Sequence, residues 1–506
     1  MELAPEILNK NRIANYRTVF VFALGLMLGV AACGSLENTG VILLAVLLAV
    51  FAGALFILRS KRFAVFVIAI IIGLSLAFLN KPKAFQAGNC SISGVVIDSY
   101  RSDDAAVLIL KRCTVNGESY NKRIELLLND SPELRIGDEV SALADCRMLR
   151  SRTDQYSEYS SKLSIGIGCV ASAREINVLS SHNAPLTELT MGLRNSIKDR
   201  IDGAFGSDSG IFNALIIGVK NEVGDERYTV FSAVGTSHLL AISGLHMSIL
   251  VACVSALIPK RKKWLKLVLL GAFMLVYCTV AAYAPGLVRA AIMMFTMLAA
   301  DCFGRQRDLL SALSIAAVAI LAFCPYQLYS IGFQLSFSAC FGIILLTRSL
   351  GKGISKAHVP AFIAQPAAVC LAAALGTFSF QMRYFKSFTP YALIANLAVV
   401  PLFSIVIITA FAITVIAFIS PGIASAAAIV PRSILFCVEK LLSLLGRLPF
   451  AEFRFRPPSM ICCVIWLVML FAVSEYTLRP RSKRSIYAAC MMVLFTTVYF
   501  AGIIRA

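Results

Sequence analysis

Two of the chain's four histidines stand in one apolar stretch, Gly235-Thr-Ser-His-Leu-Leu-Ala-Ile-Ser-Gly-Leu-His-Met-Ser-Ile-Leu250. His238, Ser243 and His246 are the residue types of nucleophilic acyl chemistry, in which an imidazole takes the serine proton. Spacing alone does not set that geometry. A small-residue packing seam, with the histidines bonded to nearby carbonyls, accounts for the same pattern. If the stretch is helical, Ser237, Ala241, Gly244 and Ser248 fall within about 60° of one another, a stripe that admits close helix approach. His246 lies on a different flank, and Ser243-Gly244 offers a point where the helix can unwind. A third reading is a set of pathway or gate residues, because polar groups at membrane depth are costly and mark transport routes.

Arg289 is the second costly residue. It follows 22 uncharged residues and precedes 11 more. An arginine at that depth costs about 2.5 to 3.5 kcal/mol unless it meets water or a partner. Its alternatives are a structural arginine bonded to carbonyls and a phosphate-contacting residue lining a wet conduit. Gln334, Ser336 and Asn396 also fall in apolar segments, where such side chains commonly bond between helices. There is no HExxH metalloprotease helix and no GxxxxGK[ST] phosphate loop, so the chain is not expected to cleave peptides with zinc or to power transport itself.

The elements that hold these residues belong to a membrane. Hydrophobic residues make up 58% of the 506 and charged residues 15%, against about 25% charged in average soluble domains. The net charge of +19 lies outside residues 80–185, where acidic and basic residues balance. Most of it fits cytoplasmic loops of a multi-pass protein, and a polyanion partner accounts for what remains. Apolar runs at 18–36, 41–58 and 63–79 follow a basic N-terminus, which the pattern places inside. Further runs at 237–258, 265–284, 287–300 after a break at Pro285-Gly286, 309–323, 331–346, 361–380, 391–419, 460–473 and 486–504 bring the expected total to about ten to twelve segments. Residues 423–448 fit either a span or a surface helix.

Residues 80–185 change character. Short alternating runs at Ser91–Ile97, Ala106–Leu110, Ile124–Leu128 and Glu139–Leu143 predict strands of a small β-barrel, with a turn at Gly137-Asp138. Cys90, Cys113, Cys146 and Cys169 lie here. An even number in an oxidising compartment predicts two disulfides, with three pairings open. Leu186, Leu189, Leu193, Ile197 and Ile201 then trace an amphipathic helix, and Lys220-Asn-Glu-Val-Gly-Asp225 forms a charged turn before the central motif.

The string HLLAISGLHMSIL resembles the signature of the ComEC family of competence proteins, DNA-uptake channels of natural transformation. Three more stretches resemble that family in the same order. They are Ala284-Pro-Gly-Leu-Val-Arg-Ala-Ala-Ile-Met293, Gly332-Phe-Gln-Leu-Ser-Phe-Ser-Ala339 and Phe388-Thr-Pro-Tyr-Ala-Leu-Ile-Ala-Asn-Leu-Ala-Val-Val-Pro-Leu402. The Gly224-Asp225 turn matches as well. The resemblance implies a polytopic α-helical membrane protein with an inserted extracytoplasmic OB-like barrel. The expected divisions are N-terminal transmembrane helices over 1–79, the barrel over 80–185, interfacial helices over 186–234 and a channel core over 235–506. It also implies import of single-stranded DNA across the bacterial inner membrane, with an external DNA receptor, a cytoplasmic motor ATPase and a separate nuclease as partners beside the membrane lipid. The barrel's neutral charge and the placing of Phe85, Tyr100, Tyr120, Tyr156 and Tyr159 mainly outside the strands give little support to DNA contact by the barrel itself.

The family's metallo-β-lactamase-like domain has no counterpart in these 506 residues, so a short form without nuclease, cofactor or metal is expected, a channel rather than an enzyme. The alternatives from other classes are a transporter of another polymer or lipid on the same scaffold and an intramembrane serine hydrolase using Ser243.

Overall fold

A computed structural model describes residues 18–35, 61–83, 87–102, 105–128, 137–148, 162–181, 185–219, 222–259, 261–448, 453–454 and 456–475, with isolated positions between them. Most of the expected spans at 41–58 and 486–504, with His182, Tyr156 and Tyr159, lie outside the described residues. By compactness the chain forms two units, one of residues 21–193 and 317–331, the other of 1–20, 194–316 and 332–506.

In the first unit, α1 (Thr18–Ser35) and α2 (Lys61–Leu79) are almost wholly apolar. They cross closely, since a Cβ on Gly29 would stand 2.1 Å from the Ile70 carbonyl oxygen. The barrel follows, built of β1 (Gly88–Ser102), β2 (Ala105–Val115), β3 (Glu118–Ser119), β4 (Arg123–Leu128), β5 (Asp138–Met148) and β6 (Ile167–Ser181). The strand order β1-β5-β6-β4-β2, closed by pairing of β1 with β2, leaves β3 as a short addition to β2. All pairs are antiparallel except β4 with β6. That closed five-stranded arrangement is the OB-like barrel that sequence and resemblance foretold.

Alternation supplies the barrel's core. Ile92, Leu110, Ile124, Leu126 and Cys169 are fully buried. Gly137, at φ 103°, makes the turn before β5 and donates its amide to the Val96 carbonyl at 2.9 Å. Strand β6 was not foreseen. Its inward positions, Ile167, Cys169 and Ala171, are mostly small, so its alternation carries a weak apolar signal.

All four barrel cysteines are buried thiols outside any disulfide, which differs from the two bridges expected. The register gives the reason. Cys90 pairs with Ala144 and Cys146 with Gly88, while Cys146 pairs with Ala171 and Cys169 with Met148. The three sulfurs therefore follow diagonals, where Cα atoms stand about 7 to 8 Å apart, beyond the reach of a relaxed disulfide. Cys113 lies elsewhere, against Gly94. Burial pushes its thiol up to about 12. The hydrogen bond with Cys169, then burial, raises the Cys146 thiol further.

The second unit holds the long helices. Its N-terminal part comprises the last residues of α3 (Pro185–Phe205), then α4 (Ser209–Ile216) and α5 (Asp225–Ala233). Phe205 stacks on Phe212 at 3.9 Å, and Ile201 shares their core with Val399, Phe403, Leu435 and Val438. Next come α6 (Gly244–Ala256), α7 (Lys263–Val280), α8 (Pro285–Cys302), α9 (Leu309–Phe323), of which residues 317–323 count with the first unit, α10 (Ile331–Lys356), α11 (Ala361–Phe385) and α12 (Ala392–Ile419). The chain ends its described part in α13 (Pro421–Ala427), α14 (Ile429–Gly446) and α15 (Met460–Val473). Among the described residues six helical segments are long and apolar enough to cross a membrane, one of them formed by α13 and α14 together, and five apolar helices are shorter. The chain is a multi-pass membrane protein. Residues 421–446, ambiguous in sequence, are among the six.

Glycine sets the closest helix contact in this unit. A Cβ on Gly342 of α10 would stand 2.4 Å from the Ala372 carbonyl oxygen and 2.7 Å from the Gly376 Cα of α11. Only two glycines let these backbones meet.

Candidate functional site

The central motif is not one helix. Ser237–Leu239 is a single 3-10 turn, residues 240–243 are irregular, and α6 begins at Gly244 with Ser243 as its N-cap. The stripe of small residues read from a continuous helical wheel therefore does not exist. Unwinding does occur, at the Ser243-Gly244 position. The 13 residues of α6 span about 20 Å, against about 30 Å for a bilayer core. An irregular segment followed by a half-length helix is the backbone form that membrane proteins tolerate only inside protein or along water.

The cap is reciprocal. His246 Nδ1 accepts the Ser243 backbone N–H at 3.2 Å and lies 3.1 Å from Ser243 Oγ. A serine N-cap answered from the third helical residue satisfies donors that the first turn leaves free, and here histidine replaces the usual glutamate. Ser243 and His246 thus have a structural task in which the hydrolase reading takes no part, although the two atoms stand within proton-transfer reach. His246 is 1% exposed and its Nε2 has no hydrogen-bond partner. His238 sits on the preceding turn with an exposed side chain, so the two histidines of the motif occupy unlike surroundings.

Arg289 lies beside this cap. The chain reverses between α7 and α8 through Ala282 and Tyr283, both left-handed at φ 51° and 53°, and α8 starts at Pro285. Arg289 is the fifth residue of α8, about 6 Å from its start. The 22 uncharged residues preceding it are thus a hairpin, turned just before Pro285-Gly286, where the sequence breaks the run. Burial replaces depth as its distinguishing feature. Arg289 is 7% exposed, and neither Nε nor Nη1 has a hydrogen-bond partner.

Two neighbours fix the guanidinium. Its carbon stands 5.8 Å from the centroid of Phe337 in α10, a ring stacked on Phe333 at 4.0 Å. A Cβ placed on Gly244 would lie 3.4 Å from Arg289 Nη2. A desolvated cation–π contact contributes about 2 kcal/mol, while burying a charge costs several. Phe337 orients Arg289 without offsetting that cost.

The other sequence candidates divide. Ser336 approaches the corner, since a Cβ on Gly286 would be 3.9 Å from both its Oγ and the Ser243 Cα. Gln334 is buried and accepts from the Tyr384 hydroxyl at 2.5 Å, joining α10 to α11 as an interhelical bond. Asn396 stands in α12 with a buried, unpartnered Oδ1. No described contact joins it to Arg289. Among the described residues no three His, Cys, Asp or Glu side chains stand together as a metal-ligand set.

Sequence reading missed an ionic cluster. Asp208 pairs with Arg227 and, at 2.7 Å, with Arg432 Nε. Arg227 Nε reaches Glu439 at 3.3 Å. Burial raises the Asp208 carboxyl, but the guanidiniums of Arg227 and Arg432 outweigh it and hold it below the ordinary carboxylate range. Beside it Asn213 donates to Asp202 at 2.8 Å and to Glu222 at 3.0 Å, and Lys198 pairs with Glu222 at 2.8 Å. Positions so far apart in sequence share no period. Only the packing of α5 on α14 joins them.

No solved structure matches the chain. ComE operon protein 3 of Bacillus subtilis (strain 168) is 31% identical over 223 residues, which is 43% of this chain and 28% of that protein. The family model described as Competence protein matches residues 215–480. That match runs from the end of α4 to just beyond α15 and contains the Ser243 cap, Arg289, Ser336 and the Arg227–Glu439 pair alike, so the chain belongs to the competence protein family.

Proposed function

We propose that this protein is a channel component through which single-stranded DNA crosses the inner membrane during natural transformation, with the N-terminus inside and residues 80–185 on the outer face. The observation that carries the reading is Arg289, a buried cation with unpartnered donors in a half-helix corner within the stretch that matches the family. Family membership supports DNA as the substrate, and the apolar helices support a membrane path. An external receptor, a motor ATPase and a nuclease acting in trans complete the route, because entry of one strand needs capture, work and removal of its complement.

Deleting the gene in a transformable host is expected to abolish transformation while leaving other membrane functions intact, and complementation restores it. Arg289→Lys retains part of the uptake, since a lysine keeps the charge without the fork. Undiminished transformation in the deletion strain would point to the second reading, transport of another polymer or lipid. The 3.1 Å approach of Ser243 Oγ to His246 keeps the hydrolase alternative testable. A serine-directed covalent probe is expected to leave Ser243 unlabelled.

A further inference from the structure

Every unpartnered atom at the Ser243–Arg289 corner is a donor. Arg289 Nε and Nη1 lack acceptors, and a guanidinium carries hydrogen on every nitrogen. A backbone amide only donates, so Nδ1 of His246, which receives the Ser243 N–H, is an acceptor. The neutral ring's proton is then on Nε2, the atom without a partner. The amides of Gly244 and Leu245 precede the first i→i−4 bond of α6, donated by Met247 to the Ser243 carbonyl. Helix geometry gives these two amides no acceptor.

No counter-ion comes from the surrounding elements. Residues 227–300 and 309–438 contain neither Asp nor Glu, which covers α6, α7 and α10 to α12 entirely. The single carboxylate of α8, Asp301, is twelve residues beyond Arg289 and pairs with Arg307. A cation only 7% exposed, amid donors and with no carboxylate beside it among the described residues, calls for an anion supplied by a ligand.

We infer that Arg289 and the first turn of α6 form a binding site for a phosphodiester oxyanion, with His246 as a neutral Nε2–H donor whose tautomer Ser243 fixes. Assigning a nucleic-acid strand as the source rests on the import reading above; a phospholipid headgroup presents the same chemistry. The site reads the sugar–phosphate backbone and no base, so it is indifferent to sequence. Gly244 belongs to it sterically. A methyl there meets Ala290 Cβ and Arg289 Nη2 at 3.4 Å, ordinary contact that the unliganded protein accommodates, but it occupies space beside the guanidinium.

The test uses the purified full chain in nanodiscs of zwitterionic lipid. Binding is measured for a single-stranded oligodeoxynucleotide, its abasic sugar–phosphate counterpart and its uncharged methylphosphonate counterpart. The abasic strand is expected to bind like the native one and the methylphosphonate strand at least tenfold more weakly. Arg289→Ala removes that difference, Arg289→Lys restores part of it, and Gly244→Ala weakens phosphate-dependent binding without moving the melting temperature. A second arm adds phosphatidylglycerol. Competition by it that depends on Arg289, together with strand binding insensitive to Arg289, assigns the site to lipid and overturns the nucleic-acid source. Equal binding of charged and uncharged strands, with no Arg289-dependent lipid effect, overturns the site itself. If deletion leaves transformation intact while Arg289-dependent phosphodiester binding persists, the import reading falls and the site stands.

Discussion

The barrel and the α6–α8 corner bury polar groups in opposite ways. In the barrel, Glu125 is 6% exposed but pairs with Lys162 at 3.0 Å, and Ser93 meets Thr114 at 2.7 Å. Its buried cysteines act as small apolar side chains. At the corner, Arg289 and His246 are as deeply buried, and their unpartnered donors meet no acceptor among the described residues. Burial therefore does not separate structural from functional polar residues here. Satisfaction does, because an unpaired buried donor costs about 1 to 3 kcal/mol and persists where something else gains from it.

The sharpest test replaces the buried cation with an apolar side chain of similar length. Arg289→Met should leave the helical unit as stable as before, since exchanging a buried charge for a hydrophobe is often neutral or stabilising. Transformation should fall by about a hundredfold or more. Loss of membrane-inserted protein would make Arg289 structural and erase the contrast. In the barrel the effect reverses. Ile124→Ala opens a cavity among Leu110, Leu126 and Cys169, costing about 2 to 5 kcal/mol, visible as lost amide-exchange protection across β2, β4 and β6.

The Asp208 cluster lies between these extremes, ion-paired but with Asn213 Oδ1 and Glu439 Oε1 accepting no hydrogen bond. Asp208→Asn removes the charge that two arginines share, leaving Arg227 its contact with Glu439, and should cost about 2 kcal/mol. The pH dependence has a definite sign. Because the folded carboxyl is held below its ordinary value, the stability it contributes is present above about pH 4. It is lost as pH falls through the depressed folded value. Acid unfolding of the wild type should show this loss, and Asp208→Asn should flatten it.

The smallest effect concerns the thiols. Cys146 lies between Cys90 and Cys169, and Cys113 is apart. Oxidation thus forms at most one bridge, through Cys146, and raised thiols exchange slowly. Mass spectrometry after unfolding under non-reducing conditions should find at least two of the four alkylated. Two bridges would show that the barrel relaxes from the register described here.

Much of the molecule was legible because it rests on local pattern. Apolar runs of helical length give membrane helices whatever packs around them, and period-two alternation gave strands β1, β2, β4 and β5 before any contact was known. Strand β6 escaped because Cys169 and Ala171 bury little apolar surface. The helical wheel over 237–248 failed for a different reason. Ser243 and His246 bond to each other across the first turn of α6, and that cap, invisible to periodicity, starts the helix later than its apolar run.

Sequence by itself determined that Arg289, Ser243 and His246 would sit in apolar segments, and that no acidic residue would accompany them between 227 and 300. Composition is additive along a chain, so it can be read directly. Which of these residues share one corner, and which are satisfied elsewhere, only tertiary structure decided. Gln334 and Ser336 are two residues apart, yet one bonds to Tyr384 and the other faces Gly286 and Ser243. A helix turns by about 200° over that step, and the neighbour waiting on each side is chosen by packing.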